Sequence, residues 1–318
     1  MLAPLAAVLL GVLASAATAL AAEPAVVAPG RVALFEGGAN TVAAMADGRA
    51  LLAGGSGDSL VVVRLGAGGT PDPTFGAGGT VRLRLPELER IVQLLAQPDG
   101  GVVVIAGGRS TGTCFETPVA VVRLTAAGTL DGTFGEHGVA TPKIGAYCFP
   151  RPAAALAADG SIVIAGSTGV YDRDLKPAVA KLTPAGRLDE RFGGDGIVEL
   201  PSGGLVNTAA STAAIAPGGR IVVIYPDHLA ALTAGGVLDP AFHHGAPVSL
   251  AGCELVVARP DGSIDALVTA ARSKRISRVT SAGVLDRAFG AGGTVRLATH
   301  DGDSPLRLFV AADGATTL

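Results

Sequence analysis

The chain has 318 residues, of which 49% are hydrophobic and only 16% are charged, and its formal net charge is −3. This length supplies enough apolar residues for a large core, and the lack of a basic excess argues against nucleic acid as a partner. Trp is absent and 46 residues are glycine, which favours short strands of small aliphatic residues joined by tight turns. The composition predicts an all-β protein.

Residues 1–21 are uncharged and strongly apolar, and residues 19–21 fit the small-residue site of signal peptidase. We interpret 1–21 as a secretory signal peptide. Because no Lys or Arg precedes the apolar run, a retained membrane anchor is the alternative. No later apolar run approaches the ~20 residues that a spanning helix needs. The remainder, 22–318, is expected to be a single domain without a membrane span, secreted or held at the cell surface or in the periplasm.

A turn signal recurs six times between apolar runs. Asp-Gly and Gly-Gly pairs tolerate the positive φ angles of a two-residue hairpin turn, so each pair predicts a β-hairpin. In the second repeat, 91–96 precede the turn and 102–106 follow it. The six pairs are at 47–48, 99–100, 159–160, 218–219, 261–262 and 313–314.

A second signal follows each of the first five hairpins. A third apolar run leads into a motif of the form Leu-Asp-x-x-Phe-Gly, and a fourth short run then closes the repeat. Four short strands in each repeat of this length are typical of a propeller blade, so we predict a β-propeller. The motif phenylalanines, which are 59, 58, 50 and 47 residues apart, are Phe75, Phe134, Phe192, Phe242 and Phe289.

The order of these features resembles a known repeat. Asp-Gly, an aliphatic run, Ala-Gly-Gly, a variable loop, Val-Val-Arg-Leu and Gly-x-Leu-Asp-x-x-Phe-Gly-x-x-Gly together resemble the bacterial delta-60 repeat, most closely at 97–138. The resemblance covers essentially all of 31–318 and implies propeller blades in a secreted or surface protein. It supplies no catalytic residue. The fourth copy departs from it at Gly218, at 225–226 and at His243.

Strand counting predicts six blades. Five repeats are complete, and the sixth begins at 306–311 and turns at 313–314. The segments 24–27 and 31–35 flank a Pro-Gly turn, and pairing the latter with the last blade would remove exposed sheet edges. We therefore expect a monomeric ring whose last blade is closed by both termini. An incomplete ring from a truncated chain is the alternative.

A basic residue stands eight positions before the motif aspartate in four of the five copies. This spacing predicts a recurring charged hydrogen bond, or an aspartate that caps the turn by itself. In the fourth copy the position of the basic residue is occupied by Ala231. The phenylalanine is expected to fill the space between adjacent blades. The pairs are Arg64 and Asp72, Arg123 and Asp131, Lys181 and Asp189, and Arg278 and Asp286.

Cysteine and histidine positions predict no cofactor or metal site. Cys114 and Cys148 lie in loops on one predicted face, so we expect a disulfide between them, whereas Cys253 is expected to be a buried small residue. The pair at 243–244 points to opposite faces of an extended chain and fits a surface loop. Oxygen ligands at 171–174 and 301–303 do not complete a calcium loop.

Loops on a rigid scaffold are the usual place for recognition. One predicted loop face carries the basic cluster 272–275 together with acidic and aromatic residues, and it could contact an anion or an acidic partner. A solvated loop is the simpler interpretation. The candidate partner-binding residues are Tyr171, Asp172, Asp174, Asp227, His228, Arg272, Lys274 and Arg275.

No pair of carboxylates recurs on the predicted inner strands, and the sequence has no Gly-x-Ser-x-Gly turn. We therefore predict a noncatalytic secreted or cell-surface scaffold that binds a protein or a surface polymer through its variable loops. The alternative is a hydrolase or lyase at the channel mouth, with Glu89 and Glu254 as candidates. A purely structural module cut from a longer surface protein is a third interpretation.

Overall fold

The computed structural model describes residues 39–56, 59–85, 88–108, 117–146, 153–169, 174–201, 210–225, 227–270, 273–297, 308–310 and 316–317. These residues form five four-stranded antiparallel sheets and one short hairpin. Helical structure among them is limited to 3-10 turns such as Pro217–Gly219 and His243–Gly245. The chain is thus an all-β protein built from β-propeller blades, which confirms the predicted fold class.

Within the described residues, no helix has the length and apolar character that crossing a membrane requires.

The chain divides into two compact units. The first unit holds blades one and two and the turn Ala185–Arg187, and the second holds the rest of blade three, blades four and five and the terminal hairpin. A single domain over 22–318 therefore stays a prediction. Blade one comprises β1 (Ala39–Ala44), β2 (Ala50–Ser56), β3 (Ser59–Leu65) and β4 (Thr80–Leu83), and blade two comprises β5 (Leu88–Ala96), β6 (Val102–Gly108), β7 (Thr117–Leu124) and β8 (Val139–Ala140).

The blades of the second unit repeat this order. A short strand, β9 (Gly145–Ala146), pairs with β11 ahead of blade three. Blade three comprises β10 (Ala153–Leu156), β11 (Ile162–Thr168), β12 (Lys176–Leu182) and β13 (Ile197–Glu199). Blade four comprises β14 (Thr212–Ile215), β15 (Ile221–Tyr225), β16 (His228–Leu232) and β17 (Val248–Ser249), and blade five comprises β18 (Cys253–Ala258), β19 (Ile264–Ala270), β20 (Ser273–Val279) and β21 (Thr294–Leu297).

The two middle strands of each blade carry the core. All seven residues of β3 are buried, because side chains of both faces pack against apolar neighbours. In a strand that is buried on both faces nearly every residue is apolar, so its sequence is a continuous apolar run. In the second unit, separate clusters form around Val163 and Val223 and around Val222 and Ile264. A blade cannot bury both faces alone, so stacking of neighbouring blades supplies the stability.

The hairpin turns are one residue longer than predicted. In blade one the N–H of Met45 donates to the carbonyl of Arg49 (2.9 Å) and Gly48 donates back to Met45 (3.1 Å). Three residues therefore form the loop, with Gly48 at φ 82°, as in a type I turn closed by a glycine bulge. The Asp47 carboxylate accepts the N–H of Arg49 and holds the turn. The aspartate was expected only as a turn former, and it also supplies a hydrogen bond.

The sixth blade is represented by a two-stranded hairpin of β22 (Phe309–Val310) and β23 (Thr316–Thr317). The segments 24–27 and 31–35 and the turn at 313–314 lie outside the described residues. Six blades, and closure by both termini, therefore stay predictions.

Candidate functional site

The predicted ion pair of the motif is present in the first three copies. The Arg64 Nε lies 2.8 Å from Asp72 Oδ2, Arg123 Nε lies 2.7 Å from Asp131 Oδ2, and Lys181 Nζ lies 3.2 Å from Asp189 Oδ2. The other oxygen of each aspartate accepts the backbone N–H two residues later. Both predicted roles are confirmed, because one carboxylate makes the charged contact and caps the turn.

The first copy is the most buried. The Arg64 side chain is only 2% exposed, and its Nη1 donates to the carbonyl of Ala126 in the next blade at 2.7 Å. Hydrogen bonds from Thr74, together with the charges of Arg49 and Arg64, hold the pKa of Asp72 well below its usual value. A permanently ionised carboxylate suits a fixed structural contact and is a poor general acid.

The motif phenylalanines fill the space between blades, as predicted. Phe75, Phe134, Phe192 and Phe242 are at most 1% exposed. The residue after each of them donates its N–H to a carbonyl in the turn of the following blade, and we call this arrangement the interblade contact. The hydrogen bonds run from Gly76 to Ala127 (2.8 Å), Gly135 to Ala185 (2.8 Å), Gly193 to Gly235 (3.0 Å) and His243 to Ala282 (2.9 Å).

A glycine completes each interblade contact. A Cβ on Gly186 would lie 2.7 Å from the Gly135 nitrogen and 2.9 Å from the Phe134 ring. Because the backbone there also has a positive φ of 76°, only glycine fits. Gly128, Gly236 and Gly283 have corresponding positions with φ of 79–86°.

The fourth copy keeps its ion pair by using an arginine that directly follows a hairpin turn. Arg220, which precedes β15, places Nε 2.6 Å from Asp239 Oδ2 and donates through Nη1 to the Ser281 carbonyl at 2.7 Å. Its guanidinium lies 5.8 Å from the Phe242 ring centre. The missing basic residue at Ala231 is therefore replaced by Arg220, which spacing within one strand could not reveal.

Arg220→Met should lower the free energy of unfolding by about 1.5–3 kcal/mol, because a charged hydrogen bond to a mostly buried aspartate is lost. Adding Ala231→Arg to that variant should recover much of the loss, since the other copies pair from this position. Chemical denaturation of the wild type, the single variant and the double variant measures both effects. A double variant no more stable than the single one would show that the two positions are not equivalent.

The fifth copy differs from the predicted pairing. Arg278 donates hydrogen bonds to Asp265 from Nε at 2.7 Å and from Nη2 at 3.0 Å. Asp286 affects Arg278 only through its charge, which raises the pKa of the guanidinium. Asp265 is fully buried and also accepts hydrogen bonds from Arg259 (3.2 Å) and Thr316. Burial alone would raise the pKa of Asp265, but these donors outweigh it and lower the pKa. Asp265 of β19 lies directly opposite Arg278 of β20, and this pairing can be recognised only when the register of the two strands is known.

A cleft of about 660 Å³ lies among the hairpin turns of blades three, four and five. Its charged lining residues are Asp159, Lys181 and Arg259. Each has a structural partner, respectively Ser161, Asp189 and Asp265. Glu254, proposed above for the enzyme alternative, is exposed and does not line this cleft. The charged side chains that line the cleft are therefore engaged in ion pairs, for Lys181 and Arg259, or in a hydrogen bond, for Asp159.

Three of the predicted partner-binding residues, Asp227, His228 and Asp174, lie among the described residues. Asp227 occupies a tight turn between β15 and β16 with φ 59°, and its Oδ1 accepts the Gly252 N–H at 3.0 Å. His228 is the first residue of β16, and its ring stacks on Tyr225 at 5.4 Å. Burial raises the pKa of Tyr225 to about 12. Asp174 precedes β12 in blade three.

Several predicted residues cannot be placed. Tyr171, Asp172, Arg272 and the proposed disulfide partners Cys114 and Cys148 lie outside the described residues. The described Cys253 is a free, partly buried thiol, and burial, with the charge of Glu254, raises its pKa to about 12.

Lys274 and Arg275 belong to strand β20, so their predicted loop position is wrong. The strand starts three residues earlier than the apolar run indicated. Arg275 pairs across the sheet with Arg296 of β21. The Arg275 Nε is buried and has no hydrogen-bond partner among the described residues. Sequence reasoning missed Arg296, because the contact depends on the register of two strands separated by a long connection.

Metal ligands do not cluster in the described part of the chain, where no group of three His, Cys, Asp or Glu side chains could hold an ion. His243 and His244 lie in a 3-10 turn with positive φ angles of 45° and 56°. His243 replaces the motif glycine and still makes the interblade hydrogen bond through its backbone.

A family model described as a domain of unknown function (DUF5122) β-propeller matches residues 46–75 and 157–192. Both segments end at a motif phenylalanine, so the match supports a β-propeller-like family. No curated protein matches the chain.

Solved structures with similar folds share little sequence with this chain. A glucose dehydrogenase is 12% identical over 87% of this chain and 91% of its own, with a TM-score of 0.49. A protein of unknown function from Bacteroides caccae is 14% identical over 82% and 87%, with a TM-score of 0.43. A prolyl endopeptidase is 15% identical over 82% of this chain but 34% of its own, with a TM-score of 0.46. These matches carry no conclusion about activity.

Proposed function

We propose that this chain is a noncatalytic secreted or cell-surface scaffold. It binds an anionic partner at strands β20 and β21 of blade five. The partner carries carboxylate, sulfate or phosphate groups, on a surface polymer or on a protein. The observation that supports this proposal is the pair formed by Arg275 and Arg296 on neighbouring strands.

The arginine pair is a departure from the repeat. The position of Arg275, three residues before the basic residue of its strand, holds buried apolar residues in blades one to three, namely Val61, Ala120 and Ala178. Arg275 instead brings a guanidinium whose Nε is buried and lacks a partner among the described residues. A buried donor without a partner costs free energy, which an oxyanion held by the guanidinium would offset.

The geometry favours an anion between the two side chains. Residues directly opposite on antiparallel strands have Cβ atoms about 4.5–5.5 Å apart, and like charges so placed destabilise the sheet. An oxyanion that accepts hydrogen bonds from both guanidinium groups would remove that repulsion. Arg296 is exposed, so a ligand can reach the pair from solvent.

Polyglutamate and dextran sulfate are suitable probes, because they present carboxylates and sulfates on different backbones. Arg275→Met and Arg296→Met should each weaken binding about tenfold, the loss expected for one charged hydrogen bond. Each should also reduce the dependence of affinity on salt. Titration calorimetry at several salt concentrations measures both effects. Tighter binding of polyglutamate would indicate an acidic protein as the partner, and tighter binding of dextran sulfate would indicate a sulfated polymer.

Arg82→Met is the matched control. Arg82 is an exposed arginine in the same Thr-Val-Arg-Leu sequence of blade one, but it stands opposite Val61. It should leave binding unchanged. If the wild type binds neither probe, or if Arg82→Met weakens binding as much as Arg296→Met does, the proposed site is wrong.

A further inference from the structure

The cleft among the hairpin turns of blades three, four and five has mainly apolar walls. Its volume of about 660 Å³ is within the range of about 300–1,000 Å³ that is usual for small-molecule sites. All of its lining residues belong to the second compact unit and to the described part of the chain. Its walls consist of alanines near the turns and of four branched strand residues. These are Leu156, Val163, Ile215 and Ile221.

Blade three leaves space for this cleft because one of its turn residues is small. The residue whose N–H closes the hairpin turn is Met45 in blade one, Gln97 in blade two and Ala157 in blade three. The Met45 side chain is buried in the core of the first unit. Ala157 has only a methyl group, and it lines the cleft. The cleft therefore includes room that a longer side chain at this position would fill.

The basic residue that precedes the motif is also smaller in blade three. In blade one Arg64 Nη1 donates to the carbonyl of Ala126 at 2.7 Å. Blade three has Lys181 instead, and its Nζ lies 3.5 Å from the corresponding carbonyl of Ala234. A lysine ends in one compact ammonium group, whereas an arginine ends in a broad planar fork. Blade three thus has smaller groups at two positions, and both of them line the cleft.

Each positive charge in the lining of the cleft faces a carboxylate. Lys181 Nζ lies 3.2 Å from Asp189 Oδ2, and Arg259 Nη1 lies 3.2 Å from Asp265 Oδ2. An anionic ligand would be repelled by these carboxylates, and a cationic ligand would be repelled by the basic groups. An uncharged ligand leaves both ion pairs intact, and the aliphatic walls remove its apolar surface from water.

Lys181 and Asp159 supply a hydrogen-bond donor and an acceptor to the cleft. Hydrogen bonds from Ser161, together with the charge of Lys181, lower the pKa of Asp159, so this carboxylate is ionised at neutral pH. An ammonium group has three N–H donors, and a carboxylate accepts several hydrogen bonds. An uncharged polar group on a ligand can therefore accept a hydrogen bond from Lys181 or donate one to Asp159.

We propose that this cleft binds an uncharged small molecule with an aliphatic or aromatic body and a hydrogen-bonding group such as a hydroxyl, an amide or an N–H. The body would lie against the strand residues of blades three and four, and the polar group would lie near Lys181 and Asp159. The site is separate from the arginine pair of blade five, because neither Arg275 nor Arg296 lines the cleft. It adds a small-molecule ligand to the anionic partner proposed above.

Fluorescence titration with two related probes tests the proposal. N-phenyl-1-naphthylamine is uncharged and carries one N–H donor, and 8-anilinonaphthalene-1-sulfonate has the same rings with a negative charge. Both probes become more fluorescent when they leave water for an apolar site. The wild-type protein should bind the uncharged probe about tenfold more tightly than the sulfonate, a difference that a single unfavourable charge contact can produce.

Two variants introduce residues of the other blades and should fill the cleft. Ala157→Met brings in the residue of blade one, and Lys181→Arg brings in the basic residue of blades one and two. Each should weaken binding of the uncharged probe about tenfold or more. Urea denaturation should show that both variants remain folded. Ala46→Met is the matched control, because Ala46 is an exposed turn residue of blade one that does not line the cleft.

The result that would overturn the proposal is a wild-type protein that fails to bind the uncharged probe. Equally tight binding of the sulfonate would also overturn it, because the ligand would then not need to be uncharged. An equal loss of affinity in Ala157→Met and Ala46→Met would place the probe outside the cleft. Arg296→Met should leave the affinity for the uncharged probe unchanged, and a loss there would show that the two sites are not separate.

Discussion

Replacing Gly135 with alanine should lower the free energy of unfolding by about 3 kcal/mol or more. Gly135 follows Phe134 in the second motif and has φ 53°. A Cβ there would lie 2.2 Å from the carbonyl oxygen of Val139 and 2.7 Å from its carbonyl carbon. Both atoms belong to the backbone of the first residue of β8, which pairs with Val122, so neither can move without disturbing strand pairing. Equilibrium denaturation in urea measures the loss.

Gly132→Ala is the matched control for this prediction. Gly132 lies in the same motif, one residue after Asp131, and a Cβ there would meet nothing within 4 Å. The change should alter stability by no more than about 0.5 kcal/mol, as for most surface substitutions. Equal losses in the two variants would mean that the motif resists any added methyl group and that the close approach to Val139 is not the cause.

Removing the arginine that holds the buried carboxylate of blade five should be as damaging. Arg278→Met leaves Asp265, which is fully buried, with Arg259 and Thr316 as its remaining donors. Breaking a buried ion pair from one side costs about 3–5 kcal/mol, because a charge stays buried without compensation. Adding Asp265→Leu removes that charge, so the double variant should be more stable than Arg278→Met alone.

The acid dependence of the same variants separates charge from packing. In the wild type the pKa of Asp265 is lowered, so its contribution is present above the unfolded pKa of about 3.9 and is lost as pH falls through the folded value. Without Arg278, burial should dominate and raise this pKa, which reverses the sign. The stability gap between wild type and Arg278→Met should therefore narrow as pH falls from neutral towards about 4. A gap independent of pH would assign the loss to packing.

Most of the fold could be read from the sequence, because its signals are local. Apolar runs of four to seven residues mark the middle strands, and each run is followed by a turn whose residues tolerate positive φ. The predictions that were wrong also concern local features, namely a turn length and the start of a strand. The hairpin at Gly48 was expected to have two loop residues and has three, since Asp-Gly fits both turn classes. Strand β20 starts at Ser273, in a polar stretch that shows no strand pattern.

The charged contacts were less predictable, because they join different strands. A spacing of eight residues identified the pairs of Arg64, Arg123 and Lys181, which bridge one strand and its turn. Arg220 and Asp239 come from separate elements, and so do Arg278 and Asp265. Arg275 and Arg296 meet only because β20 and β21 pair in one particular register. Such pairings become visible once cross-strand neighbours are known.

The interblade contact has a consequence for how the repeat number can change during evolution. Its acceptor is a main-chain carbonyl, and the residue before the acceptor differs between copies, being Ala126, Pro184, Ala234 or Ser281. A blade that keeps its motif phenylalanine and its turn glycine therefore carries the same docking chemistry on both sides, whatever the rest of its side-chain sequence. Duplicating or deleting a whole internal repeat would join two compatible halves at once, with no compensating mutation. Genes that encode this repeat can thus gain or lose blades by unequal recombination while every junction stays intact.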